Sequence, residues 1–159
     1  MSVTTHKTDS RKQAAGSLSA FAATFYAEKQ VQQALLQLQD EHALDVLLLL
    51  TACWLGRRGV TVEAIDWADL LQRHQPWQQQ VISPLRAVRR AMRAWPEASE
   101  LREHIKASEL AAEWMQLSRL EQWLTADAGD EPPTTLAQLQ ACCQAQGATP
   151  PASLLIQLS

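Results

Sequence analysis

The chain has no apolar run long enough to cross a membrane. Its uncharged stretch over residues 46–55 is ten residues long, where a spanning helix needs about 20. Cysteine is scarce: Cys53, Cys142 and Cys143 are odd in number and two are adjacent, which excludes a disulfide framework and offers no metal-ligand spacing. Neither sign of charge dominates. A net charge of -3 and a pI near 5.8 give no general pull towards nucleic acid or anionic membrane. No segment alternates apolar and polar residues as a strand does, and none repeats, so the class expected is all-α. No secretory leader is expected, since Lys7, Arg11 and Lys12 precede an Ala-rich stretch rather than a continuous apolar one. Cytoplasmic residence is the expectation.

What the chain does have is material for one core: 159 residues, 47% of them hydrophobic, suffice for a single globular domain. Residues 44–59 form the centre. Over 46–55 the stretch has no polar face, so other helices must cover it. Asp45 is placed to cap its start, and Gly56 and Gly59 let the chain turn at its end. Burying Val46, Leu47–Leu50, Trp54 and Leu55 contributes roughly 10–20 kcal/mol gross, and ordering those residues costs a comparable amount. This helix cannot stand alone.

The expected architecture is a bundle of about six helices around that centre. Residues 1–16 are polar and aperiodic and read as a disordered arm. Helices are expected over 17–28, with Leu18, Phe21, Ala22, Phe25 and Tyr26 on one side, and over 30–42, with Val31, Leu35 and Leu38 inward. Thr61 reads as the cap of a fourth helix ending before Pro76, and Ser83-Pro84 as the start of a fifth. That fifth helix, 84–95, places Leu85, Val88, Met92 and Trp95 on one face and Arg86, Arg89, Arg90 and Arg93 on the other. A long sixth helix over 97–124 carries Ala98, Leu101, Ile105, Ala112 and Met115 as its inward stripe. Leu110, Trp114, Leu117 and Leu124 form a second stripe on its far side. The core domain is thus 17–125, followed by an acidic, Pro-rich linker at 126–133 and a short helical tail to 159, expected to fold back on the sixth helix.

Two passages carry a resemblance. Leu38-Gln39-Asp40 with Leu44-Asp45-Val46 and Trp54-Leu55-Gly56-Arg57-Arg58-Gly59 is one; Pro84-Leu85-Arg86-Ala87-Val88-Arg89-Arg90 with Leu101-Arg102, Ile105-Lys106 and Glu109-Leu110 is the other. Over about residues 18–120 the chain resembles a family of small proteobacterial proteins filed as a conserved domain of unknown function. The resemblance implies a helical fold in a bacterial cytoplasm and no established activity. It also implies Gly and Asn where this chain has Ala43 and Leu47, so a polar role at position 47 is lost here.

Four features could carry chemistry. Arg86, Arg89, Arg90 and Arg93 lie three or four residues apart, where like charges repel, so something anionic should offset them. One carboxylate at about 4 Å and an effective dielectric near 20 is worth roughly 4 kcal/mol before desolvation; Asp40, Asp45, Glu109 or Glu113 would serve, and an acidic partner is the functional counterpart. Residues 57–106 carry nine Lys or Arg against six acids, while residues 107–159 carry one Arg against six acids, so the middle could also dock on the end. Asp40, His42 and Asp45 gather acid and imidazole at one helix junction, where a general acid or base could be held, but capping accounts for them and no nucleophile signature accompanies them. Glu63, Asp66 and Asp69 recur at helical spacing like magnesium-binding carboxylates, yet they face away from the apolar side and lack a second motif; no metal and no cofactor is expected. Leu110, Trp114 and Leu117 offer an interface, either to the tail or to a second copy in a homodimer.

Together these features point to a non-catalytic interaction or regulatory module that binds an acidic protein through the Arg row. Nucleic acid is disfavoured because Trp77 and Trp95 fall on the apolar side rather than among the basic residues. The competing expectation is a small helical enzyme or phosphate-ligand-binding protein that uses Asp40, His42, Asp45 and the Arg row.

Overall fold

The computed structural model describes residues 16–125, 127–130 and 132–159; the arm expected over residues 1–16 lies outside them apart from Gly16. Among the described residues there are helices and no strands. Helix α1 (Leu18–Tyr26) starts where Ser17 Oγ accepts from the Ala20 N–H at 3.1 Å, and it buries Leu18, Phe21, Ala22 and Phe25. Helix α2 (Lys29–His42) buries Val31, Ala34, Leu35 and Leu38, the spacing of one helical face. Ala43 ends it in the left-handed region at φ 54°.

Helix α3 (Val46–Arg57) is the centre of the bundle. Asp45 Oδ1 accepts from the Leu48 N–H at 3.1 Å and caps it, and every residue of 47–56 is buried. Its cover includes α1, α2 and the C-terminal α7 (Thr135–Ala145), which lies along it most extensively. The tail therefore packs on α3 rather than on the sixth helix. Gly56 makes this approach: a Cβ there would sit 2.4 Å from the Thr135 Cα. Leu139, Cys142 and Cys143 of α7 and Leu154, Leu155 and Leu158 around α8 (Ala152–Ile156) are buried behind it.

The middle of the chain departs from expectation in three places. Thr61 precedes only a 3-10 turn, Val62–Ala64; α4 (Trp67–Trp77) begins six residues on, capped by Asp66, whose Oδ1 accepts from the Asp69 N–H at 3.0 Å. Extended backbone at Ile65 separates the two. Pro76 does not stop α4, which runs on through a wide π turn, Gln78–Ile82, into α5 (Ser83–Ala91). Ser83 is the first helical residue of α5 rather than its N-cap, a position that Ile82 takes. The turn widens just ahead of Pro84, which lacks an N–H and whose ring would press on the carbonyl four residues back in a regular helix.

The third departure concerns faces. No residue of α5 is fully buried, and Val88 and Trp95, expected inward, are 47% and 60% exposed. On α6 (Ser99–Trp123) the buried residues are Glu109, Ala112, Gln116, Leu117 and Leu120, whereas Leu101 and Met115 of the expected inward stripe are 57% and 50% exposed. Two polar groups thus take interior positions on α6, because their partners come from α4 and α5. No helix among the described residues is long and apolar enough to cross a membrane.

Candidate functional site

A cleft of ≈ 540 Å³ lies between α1, α2, α3, α5 and α6. Its floor is apolar: Ala22 and Ala23 of α1, Val46, Leu47 and Leu50 of α3, and Leu117 of α6. Leu47 stands where the family resemblance implies Asn, so the floor here is more apolar than that pattern would make it. Along the rim, α5 supplies Arg86, Arg89 and Arg90, and α6 supplies Lys106, Leu110 and Trp114. Leu36 of α2 completes the apolar edge.

The Arg row divides on inspection of its partners. Arg89 grips Glu109 with three hydrogen bonds, Nε to Oε1 at 2.7 Å and to Oε2 at 3.2 Å and Nη2 to Oε2 at 3.1 Å, the bidentate geometry that makes such pairs strong. That bond raises the Arg89 pKa against the opposing effect of burial. Arg86 is held more loosely, with Nε 3.7 Å from Glu109 and Nη2 3.9 Å from Glu113. Arg90 is exposed at the rim, while Arg93 is exposed on a 3-10 turn, Met92–Ala94, and does not line the cleft. The carboxylates come from α6, one turn apart, so the basic middle does meet acids of the end region.

Glu113 is the unusual group. Burial pushes its carboxyl up to about 7, Arg86 opposes this, and Glu109 and Asp45 add to it. Tyr26 of α1 also lines the cleft, and its hydroxyl is raised by burial first and by Glu113 second, against a side-chain hydrogen bond from Gln32. Sequence reading named Glu113 only as a counter-charge and Tyr26 only as a helix-face residue, and Lys106 not as a site. Spacing on α6 places Lys106, Glu109, Leu110 and Glu113 on neighbouring positions, which is the signal that could have grouped them.

The junction cluster comes apart. Asp40 is exposed, His42 is half-buried, and neither lines the cleft. Asp45 turns instead to His74 of α4, whose Nε2 lies 2.9 Å from Asp45 Oδ2. Burial alone would raise the Asp45 carboxyl; the His74 hydrogen bond, with the backbone N–H groups of Leu48 and Leu47, holds it below its ordinary value. Gln116 of α6 donates from Nε2 to His74 Nδ1 at 2.8 Å, so Nε2–H is the nitrogen that donates to Asp45. Both ring nitrogens are occupied. This chain of hydrogen bonds fastens α3, α4 and α6 together, and Asp45 and His74 line a second cavity of ≈ 280 Å³ with Arg86 and Gln146.

The remaining candidates separate in the same way. Leu110 and Trp114 are 52% and 36% exposed at the cleft rim, whereas Leu117 is core. Asp66 is a cap and Asp69 pairs with Arg73 at 3.1 Å; among the described residues no group of three His, Cys, Asp or Glu is arranged to hold a metal ion. Cys53 is buried and its thiol is pushed up to about 12 by burial, which Arg57 opposes and Cys143 reinforces. A protein-family profile described as "Protein of unknown function (DUF2390)" matches residues 17–120. No curated protein and no solved structure matches the chain.

Proposed function

Because the chain belongs to the DUF2390 family, which carries no activity to inherit, we propose a function from the cleft itself: a helical interaction module that receives an acidic amphipathic helix of a partner protein. The observation that carries this reading is an apolar floor continuous with the exposed side chains of Leu110 and Trp114, set beneath a rim of Arg86, Arg90 and Lys106. A helix laid in such a groove buries its apolar face at the floor and places its flanking side chains against the rim. Four cations line the cleft against Glu109 and Glu113, an excess of positive charge in a chain whose net charge is -3. Acidic flanks are the complement, and they would raise the association rate as well as fix the register. Among the described residues no Ser, Thr, Cys or His lines the cleft, which favours binding over nucleophilic chemistry.

The test is a selection from random peptides of about 15 residues, the length at which an isolated helix becomes marginally stable. Enriched sequences should place Leu, Ile or Trp three and four residues apart and flank them with Asp or Glu. Reversing two rim charges, in the double variant Arg90→Glu with Lys106→Glu, should weaken the best peptide by about tenfold or more. Enrichment of basic or uncharged sequences, binding indifferent to that reversal, or self-association that buries Trp114 in place of peptide would overturn the reading.

A further inference from the structure

We propose that Glu113 stands in for the partner's carboxylate: it occupies Arg86 before docking, and an incoming acidic side chain displaces it while Glu113 takes one proton from solvent. This rests on the reading of the cleft just given and adds the mechanism by which an acid is recognised there.

The geometry separates the two α6 carboxylates. Glu109 has all three Arg89 hydrogen bonds and the nearer approach of Arg86, and it is 6% exposed. Among the described residues Glu113 has only the 3.9 Å contact with Arg86, and it is 27% exposed at the cleft wall. It is the loosely held one. The charged and titratable groups acting on it are Arg86 and Arg89 of α5, Glu109 one turn back on α6, Asp45 at the start of α3 and Tyr26 of α1. Arg89 is committed to Glu109, Glu109 and Asp45 raise the cost of a negative charge on Glu113, and Tyr26 is a neutral phenol throughout this pH range. Once a partner carboxylate takes Arg86, an ionised Glu113 has no cation left to pair with, and a largely buried unpaired charge is relieved by protonation. The proton enters from water and forms the Glu113 O–H bond; no other bond changes. Its carboxyl lies at about 7 before docking, so most of the protein must take up that proton above neutral pH and little of it must below.

The sign follows. The complex binds more protons than the separated partners, so affinity falls as pH rises above about 7. The measurement uses a fluorescein-labelled acidic peptide from the selection, titrated by anisotropy between pH 6.5 and 8.5. Wild type should weaken by about tenfold across that range, and Glu113→Gln should bind as tightly at pH 8.5 as at pH 6.5. Calorimetry at pH 8 in two buffers of different ionisation enthalpy should show uptake approaching one proton for wild type and none for Glu113→Gln. A wild type without slope, or a Glu113→Gln protein with the wild-type slope, overturns the proposal. Peptide that binds and responds to rim-charge reversal but not to pH leaves the interaction module standing and removes only this mechanism.

Discussion

Replacing Glu113 by Gln should stabilise the fold at alkaline pH, with no partner present. The folded carboxyl lies at about 7 against an ordinary value of 4.5. Between those two values the unfolded chain has released its proton and the folded one retains it, so stability falls as pH rises from about 4.5 to about 7 and then levels off. A gap of about 2.5 in pKa corresponds to about 3 kcal/mol. Water reaches the side chain, which is 27% exposed, and that screening trims the expected gain to about 2 kcal/mol at pH 8. Gln keeps the shape and loses the charge, so the gain should shrink to near zero at pH 4.5, where folded Glu113 is neutral. Urea unfolding followed by far-UV circular dichroism at pH 4.5 and pH 8 reads both values. An equal gain at the two pH values, or a loss at pH 8, would refute the argument that a desolvated, poorly paired charge is stored in this cleft.

Two further substitutions test the frame that holds the cleft. Ala43 closes α2 at φ 54°, a conformation that costs an L-residue with a Cβ about 1 kcal/mol and costs Gly nothing; Ala43→Gly should raise the urea midpoint by the equivalent of roughly that amount, and an unchanged or lower midpoint would count against the assignment. Gly56→Ala should do the reverse, since the new Cβ would meet the Thr135 Cα at 2.4 Å and its N at 2.7 Å, both backbone atoms that cannot swing aside. A loss of about 3 kcal/mol, with faster cleavage of the tail by a broad-specificity protease, is expected; wild-type stability and protection would show that α7 can shift at little cost.

Sequence by itself determined the helical class, the bounds of α1, α2 and α3 to within about two residues, and the buried central helix. Those features rest on local physics: caps such as Ser17 and Asp45 act within one turn, and a stretch without a polar face has to be covered whatever covers it. Pro76 was misleading for the same reason, because a local rule places a stop where packing carries the helix through. Tertiary structure alone decided which faces of α5 and α6 turn inward. Hydropathy counts Arg89, Glu109, Gln116 and His74 as surface residues, yet each pairs with another of the set, and a polar group that finds its partner no longer opposes burial. Their pairing draws Arg86 and Arg89 towards α6 and leaves Val88 and Trp95 exposed. It also gathers Tyr26, Arg86, Glu109 and Glu113 from three helices around one cleft. No spacing rule along a single helix reaches across 87 positions of chain, because the raised Glu113 carboxyl arises from burial by segments that are distant in sequence and adjacent only once folded.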